Sequence, residues 1–307
     1  MKKALILGIT SQDGSYLAEL LKEKGYEVHG GLRPSSTNNR SRIDHIFPEG
    51  EREKYLHYFD MTDVFSILRV LKLVQPDELY ILAAQTHVAV SWEIPFYTAQ
   101  TTGIGILNVL ESVRFLGLHC KVYNASTSEL FSGRPNEAPQ NEDTVKDPIS
   151  PYGTAKLYGF QIAKNYREAF GMFICNGILF NHESKRRGDN FVTKKIINSI
   201  SSGEVHLGNL DASRDWGYAP EYVEGMWLML QQDKPDDYVL ATGETNTVKE
   251  FISWCEDING LPIKVINDER YKRPHDVDLL KGDPSKAEKI LGWKAIIKGK
   301  DLVKKML

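Results

Sequence analysis

The sequence predicts an α/β protein: a doubly wound parallel sheet with helices on both faces, joined to a smaller C-terminal α/β lobe. Three observations lead there. Short apolar runs alternate with segments of helical period through the first half of the chain, which is the pattern of βαβ units. Runs such as ALIL and LYIL are apolar at every position, as strands covered on both faces are. A glycine-containing turn separates the first apolar run from the first helical segment, the place where a dinucleotide pyrophosphate meets a helix N-terminus.

Taken in order, residues 4–7 read as the first strand and residues 15–24 (SYLAELLKEK) as an amphipathic helix that Gly25 ends. Strands are expected over 28–32 and 55–59, a helix over 64–73, a strand over 79–83, a long helix over 96–115 and a fifth strand over 121–125. After Ser126 the rhythm changes. A loop rich in Pro, Asn and acidic residues (133–151) leads into a helix near Tyr152, then a sixth strand over 173–179. A basic KRRG loop (185–188), a helix near 191–201 and mixed elements from Val205 follow. Residues 220–231 (helix) and 238–241 (strand) are expected to return to the main layers. The reading is therefore a Rossmann-type cofactor domain over residues 1–180, with 210–245 returning to it, and a mainly substrate-binding lobe over 181–307. There is no internal repeat and no low-complexity linker.

The composition, 41% hydrophobic and 26% charged over 307 residues, is that of a globular enzyme rather than a disordered chain. Thirty-eight basic residues against 41 acidic ones give a net charge of -3, which argues against bulk attraction to nucleic acid or to an anionic membrane. Cys120, Cys175 and Cys255 match no zinc or CxxC spacing and read as buried reduced thiols, with no metal site. The apolar run after the two N-terminal lysines is only about five residues, too short for a signal peptide. No segment nears the roughly 20 apolar residues of a membrane span. A cytoplasmic protein is expected.

The loop Gly8-Ile-Thr-Ser-Gln-Asp-Gly14 is GxxGxxG-like, with Ser11 in the middle glycine position. By itself such a loop is as readily a structural turn. Its place between the first strand and the first helix is what cofactor binding requires, and Gly8, Thr10, Gln12 and Asp13 are the candidate contacts. The second strand ends in GGLRPSS with no acid, where an NAD enzyme commonly carries a carboxylate for the ribose hydroxyls. Arg33 is placed to meet a 2′-phosphate, with Ser35 and either Arg40 or Arg42 assisting, because a guanidinium matches phosphate in charge and geometry. The cofactor expected is NADP; the competing reading of Arg33 is a solvated loop arginine. Asp60 either accepts from the adenine amino group or caps the helix that begins near Val64.

Tyr152 and Lys156 form a YxxxK pair in SPYGTAKLYG. On a helix they share one face, and a nearby cation makes a phenol usable as a base. The same spacing also arises by chance in surface helices. Ser126-Thr-Ser-Glu129, just past the fifth strand, adds hydroxyls and a carboxylate. Glu129 alone could equally be an exposed loop glutamate.

Strand, glycine loop and helix, then Ser/Thr after the fifth strand, then YxxxK, resemble the extended short-chain dehydrogenase/reductase family. GITSQDGSYLAELL, AAQTHVAVSWE, ASTSELF, CNGILFNHESKRRGDNFVTKKI, SRDWGYAPEYV and RYKRPHDVDLLKGDPSKAEKILGWK extend the likeness, over nearly the whole chain, to the GDP-mannose 4,6-dehydratase group within it. The resemblance implies that Tyr152 takes the proton from the sugar 4-hydroxyl, that Thr127 hydrogen-bonds the same oxygen and that Lys156 holds the nicotinamide ribose. It implies Glu129 as the acid/base of the C5/C6 elimination. Ser91, Asn181, Arg214, Arg273 and Asp276 would grip the GDP sugar, although Arg273 suits an interdomain salt bridge and Arg214 a structural role beside Asp215. Arg187 would meet a cofactor, the KRRG loop reaching across to a neighbouring subunit in a tetramer. A homodimer through helices 96–115 and 152–170 is the simpler assembly. Ser11, Pro34, Lys185 and Asp276 stand where the group usually carries glycine, a second arginine, proline and glutamate, and the C-terminal lobe is more compact. Alternatives are a dehydratase of another GDP sugar such as GDP-manno-heptose, a reductase or epimerase of a 4-keto nucleotide sugar, and a cofactor-binding regulator that turns nothing over.

Overall fold

The structure is a computed structural model that describes residues 1–271 and 274–307. Its first part runs β1 (Lys3–Leu7), α1 (Gln12–Glu23), β2 (Glu27–Leu32), α2 (Arg52–Tyr55), β3 (Leu56–Tyr58), α3 (Val64–Val74), β4 (Glu78–Ile81), α4 (Val88–Glu93), α5 (Pro95–Thr98), α6 (Gly105–Phe115), β5 (Lys121–Ala125), α7 (Pro151–Phe170) and β6 (Ile174–Leu179). Next come β7 (Asn181–Glu183), α8 (Val192–Ser202), β8 (Glu204–Leu207), β9 (Ser213–Arg214), β10 (Trp216–Tyr218), α9 (Ala219–Gln231) and β11 (Asp237–Leu240). The chain ends with β12 (Asn246–Thr247), α10 (Val248–Asn259), β13 (Lys264–Asn267), β14 (Leu279–Leu280), α11 (Ser285–Leu291) and α12 (Gly299–Met306).

Seven strands form one parallel sheet in the order β11-β6-β5-β4-β1-β2-β3. Alternation along β1 sends Ala4 and Ile6 into the core shared with Leu17 and Leu21 of α1 and Met226 of α9. Leu5 and Leu7 enter the opposite core, with Val70 of α3 and Val109 of α6. Residues from the C-terminal elements build a third core around Ile196, Trp216, Phe251 and Val303. The expected return of residues 238–241 to the main sheet is seen as β11 pairing with β6.

Four boundaries differ from the sequence reading. Helix α1 begins at Gln12, because the Ser11 hydroxyl accepts from Gly14 N at 3.0 Å and caps it. The segment 96–115 is not one regular helix: a π-helical stretch, Ala99–Ile104, separates α5 from α6. The third strand is shortened by α2, which occupies Arg52–Tyr55. The helix α4 lies in a segment that carried no assignment. Among the described residues no helix is long and apolar enough to cross a membrane. Nor does any cluster of three His, Cys, Asp or Glu side chains offer a metal site. All three cysteines are buried and unpaired.

Candidate active site

The informative residues collect beyond the carboxyl ends of the central strands, where open α/β sheets bind ligands. After β1 the chain turns at Gly8, whose φ of +94° suits glycine. A Cβ there would lie 2.8 Å from Ala83 N, and one on Gly14 would lie 2.7 Å from Ile9 Cα. Only glycine at both positions keeps the turn this tight. It leaves the start of α1 facing the carboxyl edge, a cradle that fits a dinucleotide pyrophosphate.

The side chains of Gln12 and Asp13, expected at the cofactor, are engaged with the loop that follows β7 and with β7 itself. Gln12 is buried; its amide donates to the His182 carbonyl at 3.1 Å and accepts from Ser184 Oγ at 2.8 Å. Asp13 pairs with His182 Nε2 at 2.8 Å. Burial pushes the Asp13 carboxyl up, but the imidazole reverses this and holds it below its ordinary value. Thr10 offers its carbonyl to Arg42 Nη1 at 3.3 Å. Just past β2, exposed Arg33 donates to the Tyr97 hydroxyl at 3.1 Å, and Ser35 lies 3.1 Å from Thr37 Oγ1. Asp60 does not cap a helix: it accepts from Thr62 N and Oγ1 at 2.8 and 2.7 Å, while Asp63 caps α3.

The catalytic candidates do come together. Ser150 caps α7 by accepting from Gly153 N at 3.0 Å, and Pro151 pre-sets its first turn. Tyr152 and Lys156 are both buried on that helix. Lys156 Nζ donates to the Ala125 carbonyl at 2.6 Å and lies 6.0 Å from the Tyr152 ring centre. Burial pulls the Lys156 ammonium down to about 8, against the opposing pull of Asp13. Tyr152 shares a hydrogen bond with Thr127, yet burial pushes its phenol above the ordinary value, with Glu129 adding to the rise and Arg187 opposing it. Burial thus favours the protonated phenol, and Arg187 is the cation that works against it. Thr127 and Glu129 are both buried on the short turn after β5, where Thr127 Oγ1 accepts from Glu129 N at 3.2 Å.

Ser91, expected at the sugar, lies against the start of α7. It is fully buried, donates to the Val88 carbonyl at 2.6 Å and accepts from Tyr152 N at 3.2 Å, so it anchors the start of α7. Asn181 opens β7, half-buried and paired with Trp216 of β10. Arg214 pairs with Asp276, Nη2 to Oδ1 at 3.1 Å, not with Asp215. The Asp215 carboxylate instead accepts from Thr242, Gly243 and Gly282 backbone groups. Beside the Arg214–Asp276 pair a cleft of about 840 Å³, lined by Asn209, Leu210, Lys249, Val265 and Asp276, is of small-ligand size. Arg273 lies outside the described residues. The KRRG loop is tied to its own chain: Arg186 bonds Ser15 and Glu19 at 3.1 and 2.5 Å, and Arg187 Nε lies 3.0 Å from Glu183 Oε2. Sequence reasoning missed His182, Glu183 and Tyr97. The NHES motif was the available signal for the first two.

The model of the GDP-mannose 4,6 dehydratase family matches residues 5–306. The chain belongs to that family. It is 50% identical to the GDP-mannose 4,6-dehydratase of Sinorhizobium fredii over 336 aligned positions, covering 100% of this chain and 95% of the relative. Against GDP-mannose 4,6 dehydratase 1 of Arabidopsis thaliana the identity is 51%, over 100% of this chain and 89% of the other. The human GDP-mannose 4,6 dehydratase is 47% identical, over 99% and 90%. Among solved structures, the fold superposes on a Thermus thermophilus UDP-glucose 4-epimerase complexed with NAD (TM-score 0.87, 22% identity, 99% of this chain and 97% of that one). It also superposes on the RMD protein of Pseudomonas aeruginosa complexed with NADPH (TM-score 0.80, 18% identity, 100% and 98%). At those identities the likeness concerns the fold alone. Family membership, by contrast, gives the site of this GDP-mannose dehydratase relative a lyase chemistry to account for.

Proposed function

We propose that this protein is a lyase that converts GDP-mannose to GDP-4-keto-6-deoxymannose, with NADP as a cofactor that is regenerated in each cycle. The observation that carries the reading is the meeting of Tyr152, Thr127 and Glu129 at the carboxyl end of β5, with Lys156 one helical turn beyond. When bound, NADP would supply a reversible hydride acceptor, which an oxidation at C4 and a reduction at C6 require. The glycine cradle after β1 and Arg33 past β2 are the groups that would hold its pyrophosphate and 2′-phosphate.

The protein's own residues supply the proton chemistry. Tyr152 accepts the proton of the sugar 4-hydroxyl while Thr127 hydrogen-bonds the same oxygen. Lys156 would hold the ribose hydroxyls of the cofactor. Oxidation at C4 makes the C5 hydrogen acidic, and Glu129 removes it. The proton then leaves with the C6 hydroxyl as water, so Glu129 ends the elimination ionised as it began. Reduction at C6 leaves C5 in need of a proton, and the one that Tyr152 took from the 4-hydroxyl goes there, which restores the tyrosine to its starting state. Arg214 with Asp276, Asn181 and Arg273 bind the GDP portion, two guanidinium groups matching a diphosphate. Two copies are proposed to pair through the face where Trp92, Phe96 and Ile104 stand exposed around a groove of about 720 Å³ between α4, α5 and α7.

Glu129→Gln tests the reading. It keeps the size of the side chain and removes the proton acceptor. Mixed with GDP-mannose and NADP⁺, the variant is expected to build up reduced-nicotinamide absorbance without losing water from the sugar, the elimination slowing by about 10²–10⁴. Full dehydration by the variant, followed by mass spectrometry, would remove Glu129 from the mechanism.

A further inference from the structure

His182 is a buried titratable ring that the proposed chemistry does not use. It sits on β7 between Asn181 and Glu183. Each of its ring nitrogens meets an oxygen. Nδ1 lies 2.8 Å from the Phe180 carbonyl oxygen, and Nε2 lies 2.8 Å from Asp13 Oδ2. A neutral imidazole has a single N–H and serves only one of two acceptors. Satisfying both contacts takes one proton more than a carboxylate and a neutral ring possess, so the pair is an imidazolium on a carboxylate, neutral in sum. Tyr222 of α9 holds the ring in this orientation by stacking on it, centres 4.6 Å apart and planes at 21°. The Gln12 amide fixes the other carboxylate oxygen at 3.0 Å, and Gln12 also bonds the His182 carbonyl and Ser184 Oγ. Burial pulls the His182 ring down, but the charge and hydrogen bond of Asp13, with the Phe180 carbonyl, carry it above its ordinary value.

The place of the pair gives it consequence. Asp13 lies in the first turn of α1, directly before Gly14. The Gly14 backbone packs on the glycine turn so closely that a Cβ there would collide with the Gly8 carbonyl oxygen and lie 2.7 Å from Ile9 Cα. The carboxylate therefore stands beside the cradle for the pyrophosphate. Its side chain is 23% exposed against 11% for His182, so Asp13 is the member of the pair that faces outward. A helix N-terminus attracts a diphosphate, and a bare carboxylate in its first turn would oppose one by like charge. Among the described residues, the other titratable groups around the ring are Glu183, its neighbour on β7, Arg187 from the loop after β7, and the neutral Tyr222 phenol of α9. Glu183 and Arg187 are paired with each other, Oε2 to Nε at 3.0 Å, which leaves Asp13 as the anion that His182 offsets.

We propose that His182 is a positioning residue for the cofactor: its imidazolium neutralises Asp13 beside the glycine turn, so that the pyrophosphate of NADP⁺ meets a neutral pair instead of a carboxylate. The inference rests on the glycine turn being the cofactor cradle, as proposed above, and not on the assignment of the proton transfers. It also gives cofactor binding a pH dependence of fixed sign. As pH rises through the elevated value of His182, the ring gives up its proton, the pair becomes anionic and NADP⁺ binds less tightly.

The experiment is NADP⁺ affinity by calorimetry, as a function of pH, for the unmodified protein, His182→Gln, Asp13→Asn and the double variant Asp13→Asn/His182→Gln. His182→Gln keeps a donor but removes the charge; it is expected to weaken binding about 10- to 30-fold at neutral pH, the effect of one uncancelled charge at several ångströms in a partly buried site. The double variant removes both charges and is expected to recover to within about threefold of the unmodified protein, because the two residues act through one contact. Lys156, pulled down to about 8, titrates in the alkaline range in both proteins. The unmodified protein is therefore expected to lose affinity more steeply than the double variant above neutral pH, and the difference reports His182. A double variant as weak as His182→Gln would overturn the proposal, and so would equal alkaline losses in the two proteins. Should His182→Gln fail to fold, Asp13→Asn takes its place: with the carboxylate gone it is expected to bind NADP⁺ at least as tightly as the unmodified protein, and weaker binding would overturn the proposal. An unmodified protein that binds no NADP⁺ refutes the cradle itself, and the inference falls with it.

Discussion

Replacing Gly153 with alanine tests whether the packing of the α7 N-terminus sets the catalytic geometry. Gly153 follows Tyr152 directly, and a Cβ built on it would collide with the Glu129 carbonyl oxygen. The same Cβ would lie 2.9 Å from Pro148 Cβ and 3.3 Å from Ser150 Oγ, where carbon contacts prefer about 3.5–4.0 Å. None of these neighbours is the far end of a flexible chain: one is backbone, one a proline ring and one the serine that caps the helix. The helix start must therefore move off the Thr127–Leu130 turn. Overpacking of this kind costs about 1–3 kcal/mol, and the better helix propensity of alanine offsets up to roughly 1 kcal/mol of it. The net loss of stability is thus at most about 3 kcal/mol, below the roughly 5–15 kcal/mol of a typical domain, which leaves the protein folded. Catalysis should suffer more, because displacing a catalytic group by about 1 Å can cost 10²-fold in rate. The assay is kcat at saturating GDP-mannose, measured alongside the thermal midpoint. An alanine variant with unchanged kcat and midpoint would refute the idea that this contact places Tyr152 against Thr127 and Glu129.

Three further outcomes are expected. Arg33→Ala should weaken NADP⁺ binding by roughly 1.5–3 kcal/mol in calorimetry and leave NAD⁺ nearly unaffected; equal affinity of the unmodified protein for both cofactors would overturn the reading of β2. His57, buried against His29 at 3.0 Å, is pulled down to about 4 by burial first and then by the charge of His29 and Arg69. A histidine depressed in the fold is protonated first in the unfolded chain, so its contribution is full above about pH 6.5 and is lost as pH falls through 4. Unfolding free energy should drop by roughly 2–3 kcal/mol from this group between pH 7 and 4.5, and His57→Asn should flatten that slope in denaturant titrations. Trp92→Asp, on the exposed face of α4, should leave a folded monomer by light scattering; a monomeric unmodified protein at micromolar concentration would sink the proposed pairing.

The sequence carried the central strands well because parallel strands covered on both faces must be apolar throughout. The expected 121–125 coincides with β5, and 64–73 falls one residue short of α3. The start of α1 was illegible for a local reason: Gln12, Asp13 and Gly14 look like loop residues, and only the Ser11 cap shows that they are helical. The π-helical stretch in the expected helix 96–115 leaves no mark in hydrophobic periodicity, which still reads as helix on both sides. Tyr152, Lys156, Thr127 and Glu129 were legible because each pair lies within four residues, so spacing alone fixes their geometry. Asp13 with His182, 169 residues apart, and Arg214 with Asp276, 62 apart, are joined only by the fold. Ser91 is a different case: the resemblance assigned it to the sugar, and the fold adds a role that no motif carries, a hydrogen bond from Tyr152 N that supports the helix bearing Tyr152.

The contrast between fold and family likeness bears on where the reaction class is determined. A UDP-glucose 4-epimerase superposes on this chain over almost its whole length, so the sheet and its helices do not by themselves set the reaction class. What dehydration adds is a base that reaches C5 while the sugar is held still, because the ketone must lose its C5 hydrogen before it is reduced again. Glu129 is the group proposed for it here. Its turn is held from three sides: Thr127 Oγ1 accepts from its N–H, the glycine at 153 lets α7 close against its carbonyl, and Ser91 ties the first turn of α7 to α4. These contacts leave the scaffold of the sheet untouched and act only on the distance between phenol and carboxylate. On the proposed reading, substitutions that loosen the turn at the end of β5 should lower elimination before they lower oxidation.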